Sequence, residues 1–343
     1  MVWPNIEEIT SAVLTQDNIL DESIRSSYHC IAETKRGKLK PLYGFGGFCV
    51  AFKFINISNG KICFRIWKEE PLFDLKERLS LISRAIHDLG LPYFVHFHYL
   101  SNALKVCQDV NLPGISMDWV EGKTLDTYLR DNAYNSFLIK NLATNFMNMC
   151  QAFKRRGIAH GDLSNANILI NDRHEIKLVD YDSLYVPSMA DRFYQTTGGA
   201  ASFQHPYRRE HSSSLKASSS DDNFSQQVIY LSILATLFKP EVAKMFGKDD
   251  LLFNEPDYVE DSSFCSSRGY KAVFSINNED VRRRLAELRA AISKPYNAIR
   301  SICDITTAPP PLIYATYCNN CGEKFMPEAR FCPKCGANRN IVK

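Results

Sequence analysis

One stretch restricts this chain more than any other. Gly157-Ile-Ala-His160-Gly-Asp162-Leu-Ser-Asn-Ala-Asn167 is polar and glycine-punctuated, and it runs straight into the apolar triplet Ile168-Leu-Ile170. A polar turn, Asn171 to Glu175, leads to a second apolar run, Ile176 to Val179, which ends on Asp180-Tyr-Asp182. The pattern predicts a helix end, a polar loop and two short strands joined by a turn. It sets Asn167 before one strand and Asp180 at the end of the next. Taken singly, each carboxylate reads as a loop cap or a solvated charge. Asp162, Asn167 and Asp180 in one register read as a constellation.

The rest of the chain supplies a setting for it. With 343 residues, the expectation is two domains or one large divided one. Hydrophobic residues make up 45% and charged residues 23%, which excludes a mainly disordered or collagen-like chain. The best apolar run, Val228 to Phe238, has 11 residues where a bilayer needs about 20, so it predicts a buried helix and no membrane span. The start, MVWPNIEEIT, has no basic stretch before an apolar core, so a secretory signal is not expected and a cytoplasmic location is the default.

Lys plus Arg total 41 against 38 Asp plus Glu, a net +3 that makes no case for nucleic acid. Of the 11 cysteines, seven are scattered singly, which is not a disulfide framework.

Gly44 to Phe54 and Ile62 to Trp67, joined through Asn59-Gly60, predict antiparallel strands and a hairpin. Leu75, Leu79, Ile82 and Ile86 fall on one helical face that Gly90 and Pro92 end. Tyr93, Val95 and Phe97 alternate as a strand, and Ile115 to Val120 is another short one. Phe137, Leu142, Phe146, Met149 and Phe153 mark a long amphipathic helix that stops near Gly157. His211 to Ser220 holds six serines and reads as a mobile surface loop, with Asp221-Asp222-Asn223 as the N-cap of the following helix. Ala308-Pro-Pro-Pro-Leu312 reads as a stiff linker.

The pattern H-x-D-L-x-x-x-N, with a further Asp 13 residues on, resembles the catalytic loop and metal-binding motif of protein kinases. The resemblance implies that Asp162 is the catalytic base and that Asn167 and Asp180 hold Mg²⁺ against the phosphates of ATP. Gly44-x-Gly46-Gly47 resembles the start of the glycine-rich phosphate loop, with Cys49 where a third glycine is usual. Met117-Asp-Trp-Val-Glu-Gly122 resembles the hinge, where the Asp118 carbonyl and Val120 amide would face adenine. His205-Pro206 resembles the end of an activation segment, and Asp222 the buried Asp that opens the central helix. The runs LPYFVHFHYL, MDWVEGKTL, GIAHGDL, LVDYDSLYVP and DDLLF resemble a group of bacterial kinase-like proteins, over about residues 40 to 260.

Five departures bear on activity. Arg65 falls where the strand Lys that contacts the phosphates is expected, and its planar fork is not an ammonium. Glu77 points nearly opposite the apolar stripe of its helix, so the usual ion pair to that position is not expected. Ser164 replaces the loop Lys, and Gly161 replaces the Arg that reads a phosphorylated activation loop. Asp182 replaces the glycine after the metal-binding Asp.

At the other end, Cys318-x-x-Cys321-Gly and Cys332-x-x-Cys335-Gly resemble a zinc ribbon, with four thiolates around one structural Zn²⁺. The expected architecture is therefore α+β: a bilobal protein-kinase-like fold with a strand-rich lobe over 1–120 and a helical lobe over 121–305. A proline-rich linker over 306–313 and a zinc ribbon over 314–343 complete it. The expected function is ATP- and Mg²⁺-dependent phosphorylation, of Ser or Thr on a protein partner. Two alternatives stand beside it: a nucleotide-binding pseudokinase scaffold, and a small-molecule phosphotransferase of the aminoglycoside- or choline-kinase type.

Overall fold

Period-two alternation and 3.6-residue periodicity divide the chain much as its composition suggests. The computed structural model describes residues 3–35, 37–45, 48–71, 74–107, 110–305, 323 and 333–335. The chain divides into two units, residues 1–303 and 304–343. The fold is mixed α+β. Two short helices, α1 (Ile6–Ala12) and α2 (Glu22–Ser27), open it, capped by the side chains of Asn5 and Asp21. Strands β1 (Tyr28–Cys30), β2 (Ala32–Lys35), β3 (Lys38–Pro41), β4 (Tyr43–Phe45), β5 (Cys49–Asn56) and β6 (Lys61–Trp67) follow. Helix α3 (Leu75–Leu89) then precedes β7 (Phe97–Val106) and β8 (Val110–Asp118).

The main sheet is antiparallel in the order β1-β5-β6-β8-β7, with β4 on β5, while β2 and β3 pair separately. Its two faces do different jobs because successive side chains alternate. Phe52, Phe54, Phe64 and Ile66 are fully buried with Ile9, Val13 and Ile19 of the N-terminal segment. Residues 63, 65 and 67 therefore face the other way, where Trp67 packs in one core with Leu79 and Ile82 of α3. This alternation alone aims Arg65 at the helical half. The Asn59-Gly60 hairpin is present, with Asn59 at φ 63° and Lys61 opposite Ile55.

Beyond β9 (Lys123–Thr124) come α4 (Leu125–Asn132) and α5 (Ser136–Arg156). Strands β10 (Ile168–Ile170) and β11 (Ile176–Leu178) pair antiparallel and complete a small sheet with β9. Helices α6 (Pro206–His211), α7 (Asn223–Phe238), α8 (Asp261–Ser266), α9 (Arg268–Phe274) and α10 (Glu279–Ser293) finish the helical half. Helix α7 is buried on all sides over Phe224 to Thr236, as an apolar helix without a polar face requires. Among the described residues no helix is long and apolar enough to cross a membrane.

Three local expectations give way. Tyr93 to His96 is not strand: the Tyr93 carbonyl accepts the Leu178 amide, 2.8 Å, and Val95 donates to the Tyr181 hydroxyl, 3.0 Å, so this stretch docks on β11 and its turn. Asp222 stands at the N-cap of α7 but makes no side-chain cap bond, because its carboxylate accepts the His160 and Gly161 amides. Residues 211–220 are anchored as well, through Ala217 N to Phe193 O, 3.0 Å, and Leu215 O to Gln195 N, 2.9 Å. The linker 306–313 lies outside the described residues, as do Cys318, Cys321 and Cys332 of the zinc-ribbon expectation. Cys335 is described and exposed. Among the described residues no group of three or more His, Cys, Asp or Glu side chains could hold a metal.

Candidate active site

Helix α5 ends on Gly157, left-handed at φ 63°, and the chain enters the polar loop. Asp222 takes both loop amides, His160 N at 2.5 Å and Gly161 N at 2.8 Å. Gly161 has φ 80°, and a Cβ there would lie 2.1 Å from the Ser183 carbonyl oxygen. Only glycine fits, so the loop and the segment after Asp182 pack backbone to backbone. No side chain, arginine included, could occupy this position.

The β10–β11 register sets Ile168 opposite Leu178, and Val179 N donates to Asn167 O at 3.1 Å. Asn167 and Asp180 are thereby brought to the same end of the hairpin. Asn167 Nδ2 donates to the Asp162 carbonyl, 2.8 Å, leaving Oδ1 as its acceptor end for a cation. Asp180 is left-handed at φ 69°, a conformation Asp tolerates better than most residues. Asp162 Oδ1 accepts the Ala200 amide at 2.9 Å. Burial raises the Asp162 pKa, the Ala200 amide opposes that, and Asp180 adds to it.

Arg65 joins them. Its Nη2 lies 2.9 Å from Asp180 Oδ1 and 3.3 Å from Asp182 Oδ2, with 7% of the residue exposed. Burial acts to lower its pKa, yet Asp180 and Asp182 outweigh burial and hold it well above the ordinary arginine value. Asp182 is pushed up to about 6, first by burial and then by Asp180 and Asp162, against the pull of Arg65. Glu77 does not approach Arg65; it pairs with Arg192 at the surface. The buried member of α3 is Arg78, 2% exposed, bonded to Asp74 Oδ2 at 3.3 Å and to the Tyr194 carbonyl at 2.9 Å.

A raised carboxylate pKa means that folding favours the protonated form. The Asp182 contribution to stability is therefore complete below about pH 3.8 and is lost as pH rises through about 6. In metal-free buffer, Asp182→Asn should stabilise the protein by about 1–3 kcal/mol at pH 8 and leave it unchanged at pH 3.5. Thermal melts at the two pH values check this.

Asp162, Asp180 and Asp182 border a cavity of about 280 Å³ whose walls also include Trp67 and Phe48, whereas Arg65 and Asn167 stand behind these carboxylates and are not among its walls. Glu69, Glu70 and Asp74 add further carboxylates to its rim. Gly46 and Gly47 lie outside the described residues, directly before Phe48. At Gly44 a Cβ would meet nothing within 4 Å, so packing inside the chain does not demand glycine there. Asp118 ends β8, and neither it nor Val120 is among the cavity walls. Trp119 N donates to the Lys61 carbonyl, and Glu121 accepts from Lys61 and Lys53 at 2.7 and 3.0 Å, which lowers its pKa to about 2. The segment expected to act as a hinge is thus tied to β5 and β6. Arg78 and the Ala200 amide had no place in the expected set. Only Arg78 has a sequence signal, a charge four residues from Asp74 beside the apolar stripe of its helix.

No family model matches the chain. Over 156 residues, 43% of its length, it is 26% identical to a protein of Clostridium acetobutylicum named as a probable serine/threonine-protein kinase. Over 145 residues, 40% of its length, it is 26% identical to serine/threonine-protein kinase dst1 of Dictyostelium discoideum. The chain spans 22% and 18% of the lengths of these two relatives. Both relatives are named as serine/threonine kinases, and the likeness to them is distant and covers less than half of this chain.

Proposed function

We propose that the chain is an ATP- and Mg²⁺-dependent phosphotransferase with a bilobal, protein-kinase-like domain over residues 1–305, acting on Ser or Thr of a protein. The observation that carries this is that Asp162 and Asp180 line one cavity while Asn167, bonded to the Asp162 carbonyl, stands at the same hairpin end as Asp180. The donor set suits the cation, since hard oxygens from a carboxylate and a carboxamide match Mg²⁺. Bound there, the cation would neutralise charge on the transferring phosphoryl group. Asp162 accepts the proton of the incoming hydroxyl, and its raised pKa makes it the better base for that step. The Asn167 bond to the Asp162 carbonyl fixes the loop and leaves Oδ1 as the atom that would hold the cation. Arg65 anchors phosphate oxygens through the guanidinium that now pairs with Asp180 and Asp182.

A second reading has one observation in its favour. Arg65 occupies the very carboxylate that the cation needs, an arrangement suited to a nucleotide-binding scaffold that does no chemistry. A small-molecule acceptor would require the same base and the same cation. Nucleotide titration followed by thermal shift separates binding from its absence. ATP should raise the melting temperature more with Mg²⁺ than without, and Asp180→Ala should remove the metal-dependent increment. No shift with ATP, ADP or GTP would refute the nucleotide site.

For residues 314–343 we propose a structural zinc ribbon held by Cys318, Cys321, Cys332 and Cys335, on the strength of the doubled C-x-x-C spacing. A segment of this length buries too little core to fold unaided. Metal analysis should find about one zinc per chain, lost on combined replacement of Cys318 and Cys321. Zinc-free protein with a protease-resistant C-terminal segment would contradict the assignment.

A further inference from the structure

The stretch between Asp182 and His205 runs past the cavity, and arginines hold it from both sides. From α3, Arg78 donates to the Tyr194 carbonyl and lies over the Phe193 ring at 4.7 Å. From α6, Arg208, 1% exposed, donates through all three nitrogens. Its Nε reaches Gln195 Oε1 at 2.8 Å, Nη1 reaches Gln204 Oε1, and Nη2 reaches the Gly161 carbonyl at 2.6 Å. Gln195 relays the contact, donating through Nε2 to Asp221 Oδ1 at 3.0 Å. Within the stretch, Arg192 adds its pair to Glu77. Ordering each residue of such a segment costs about 1–2 kcal/mol, and charge-assisted hydrogen bonds out of water are among the stronger means of offsetting it.

We infer that Arg78 and Arg208 are built-in cationic struts that order residues 192–204 without any phosphate, and that Arg208 is a positioning residue for Asp162. The geometry is specific. The peptide between Gly161 and its neighbours is gripped at its amides by Asp222 and at the Gly161 carbonyl by Arg208, so the residue that follows, Asp162, is fixed from below. The Ala200 amide, at the far end of the strutted stretch, fixes its carboxylate from above. Loss of the Arg208 fork would loosen both at once. Activity as a readout rests on the phosphotransferase reading; order of the segment does not.

The sign of a phosphate here follows from the same surroundings. Thr196 and Thr197 line the cavity with four carboxylates, Glu69, Glu70, Asp74 and Asp182, and with one cation, Arg78, whose Nη2 already serves Asp74 and the Tyr194 carbonyl. Arg208 is already committed to three acceptors. A phosphate on Thr196 or Thr197, carrying about −1.5 to −2 charges, would sit among carboxylates and oppose the nucleotide phosphates. Phosphorylation of these hydroxyls is therefore inhibitory.

The test compares full-length protein before and after phosphatase, shown phosphate-free by intact mass, by hydrogen–deuterium exchange over 192–204 and by transfer kinetics. Phosphate-free protein should keep its protection and at least about half of its rate. Arg208→Lys, which cannot reach three acceptors, should lower kcat about 10–100-fold with the KM for ATP within about twofold. The same variant should speed exchange across 192–204. Gln195→Ala, which leaves Arg208 two acceptors, should show a weaker form of both effects and covers the case in which Arg208→Lys does not fold. Thr197→Glu should lower kcat about tenfold or more. Loss of protection or rate on phosphatase treatment, a rise in rate with Thr197→Glu, or unchanged exchange in both Arg208→Lys and Gln195→Ala would overturn the inference. If no form transfers phosphate, the functional reading fails, and the exchange measurements still decide whether the struts order the segment.

Discussion

Asp162→Asn should lower phosphate transfer by about 10²–10⁴-fold while ATP affinity stays within about twofold. The amide keeps an oxygen for the Ala200 amide and matches the carboxylate in shape, so the loop geometry survives. What it loses is the ability to take a proton from the acceptor hydroxyl. Because burial raises the Asp162 pKa, removing its charge relieves a cost at neutral pH, and the variant should melt no lower than wild type at pH 7.5. The same shift sets the pH profile. The acid limb of log kcat should lie above the ordinary aspartate value of 3.8, and it belongs to Asp162 and Asp182 as a coupled set. A variant that loses ATP affinity along with rate would show Asp162 to be a binding or folding residue.

Arg65→Met should have the largest effect on stability. Asp180 and Asp182 converge on one guanidinium nitrogen, and both would be left facing each other in a largely buried site. Breaking a buried pair by removing one partner typically costs about 3–5 kcal/mol. Two conditions should shrink the loss. At pH 5, below the Asp182 pKa of about 6, that carboxylate is mostly protonated and the repulsion falls. Millimolar Mg²⁺ should do the same at pH 8 by supplying positive charge to Asp180. Arg65→Lys should fall between, since one ammonium can replace the charge but not the reach of the fork. Denaturant unfolding at pH 5 and 8, with and without Mg²⁺, gives all of these values. A loss independent of both pH and Mg²⁺ would mean that Arg65 acts through packing alone.

The part of the site that was legible in the sequence is the part that is contiguous. His160 to Asp182 carries its own strand-turn-strand pattern, so the meeting of Asn167 with Asp180 follows from one hairpin register. Arg65 could be placed on its strand, and the alternation of Ile62, Phe64 and Ile66 settles which way it faces. Its partners could not be named, because Asp180 and Asp182 are more than a hundred residues away and nothing local selects them. Arg208 was illegible for the same reason: its three acceptors are Gln195, Gln204 and the Gly161 carbonyl, and nothing in Pro206-Tyr-Arg-Arg tells which of the two arginines is buried. At Asp222 the N-cap position is where the local rule puts it and the residue is buried, and only the side-chain bond differs, since its carboxylate is drawn to two loop amides. Residues 5–41 gave little signal because strands of three or four residues carry too short a period to stand out.

Transfer of labelled γ-phosphate from ATP tests the central claim most directly. Wild type and Asp162→Asn protein would be incubated with ATP and Mg²⁺, with themselves, generic protein acceptors and small hydroxyl compounds as targets. We expect wild type to label Ser or Thr of a protein, Mg²⁺-dependently and well above the Asp162→Asn background. Equal labelling by the two proteins across every acceptor would contradict the account and leave a site that binds nucleotide without using it.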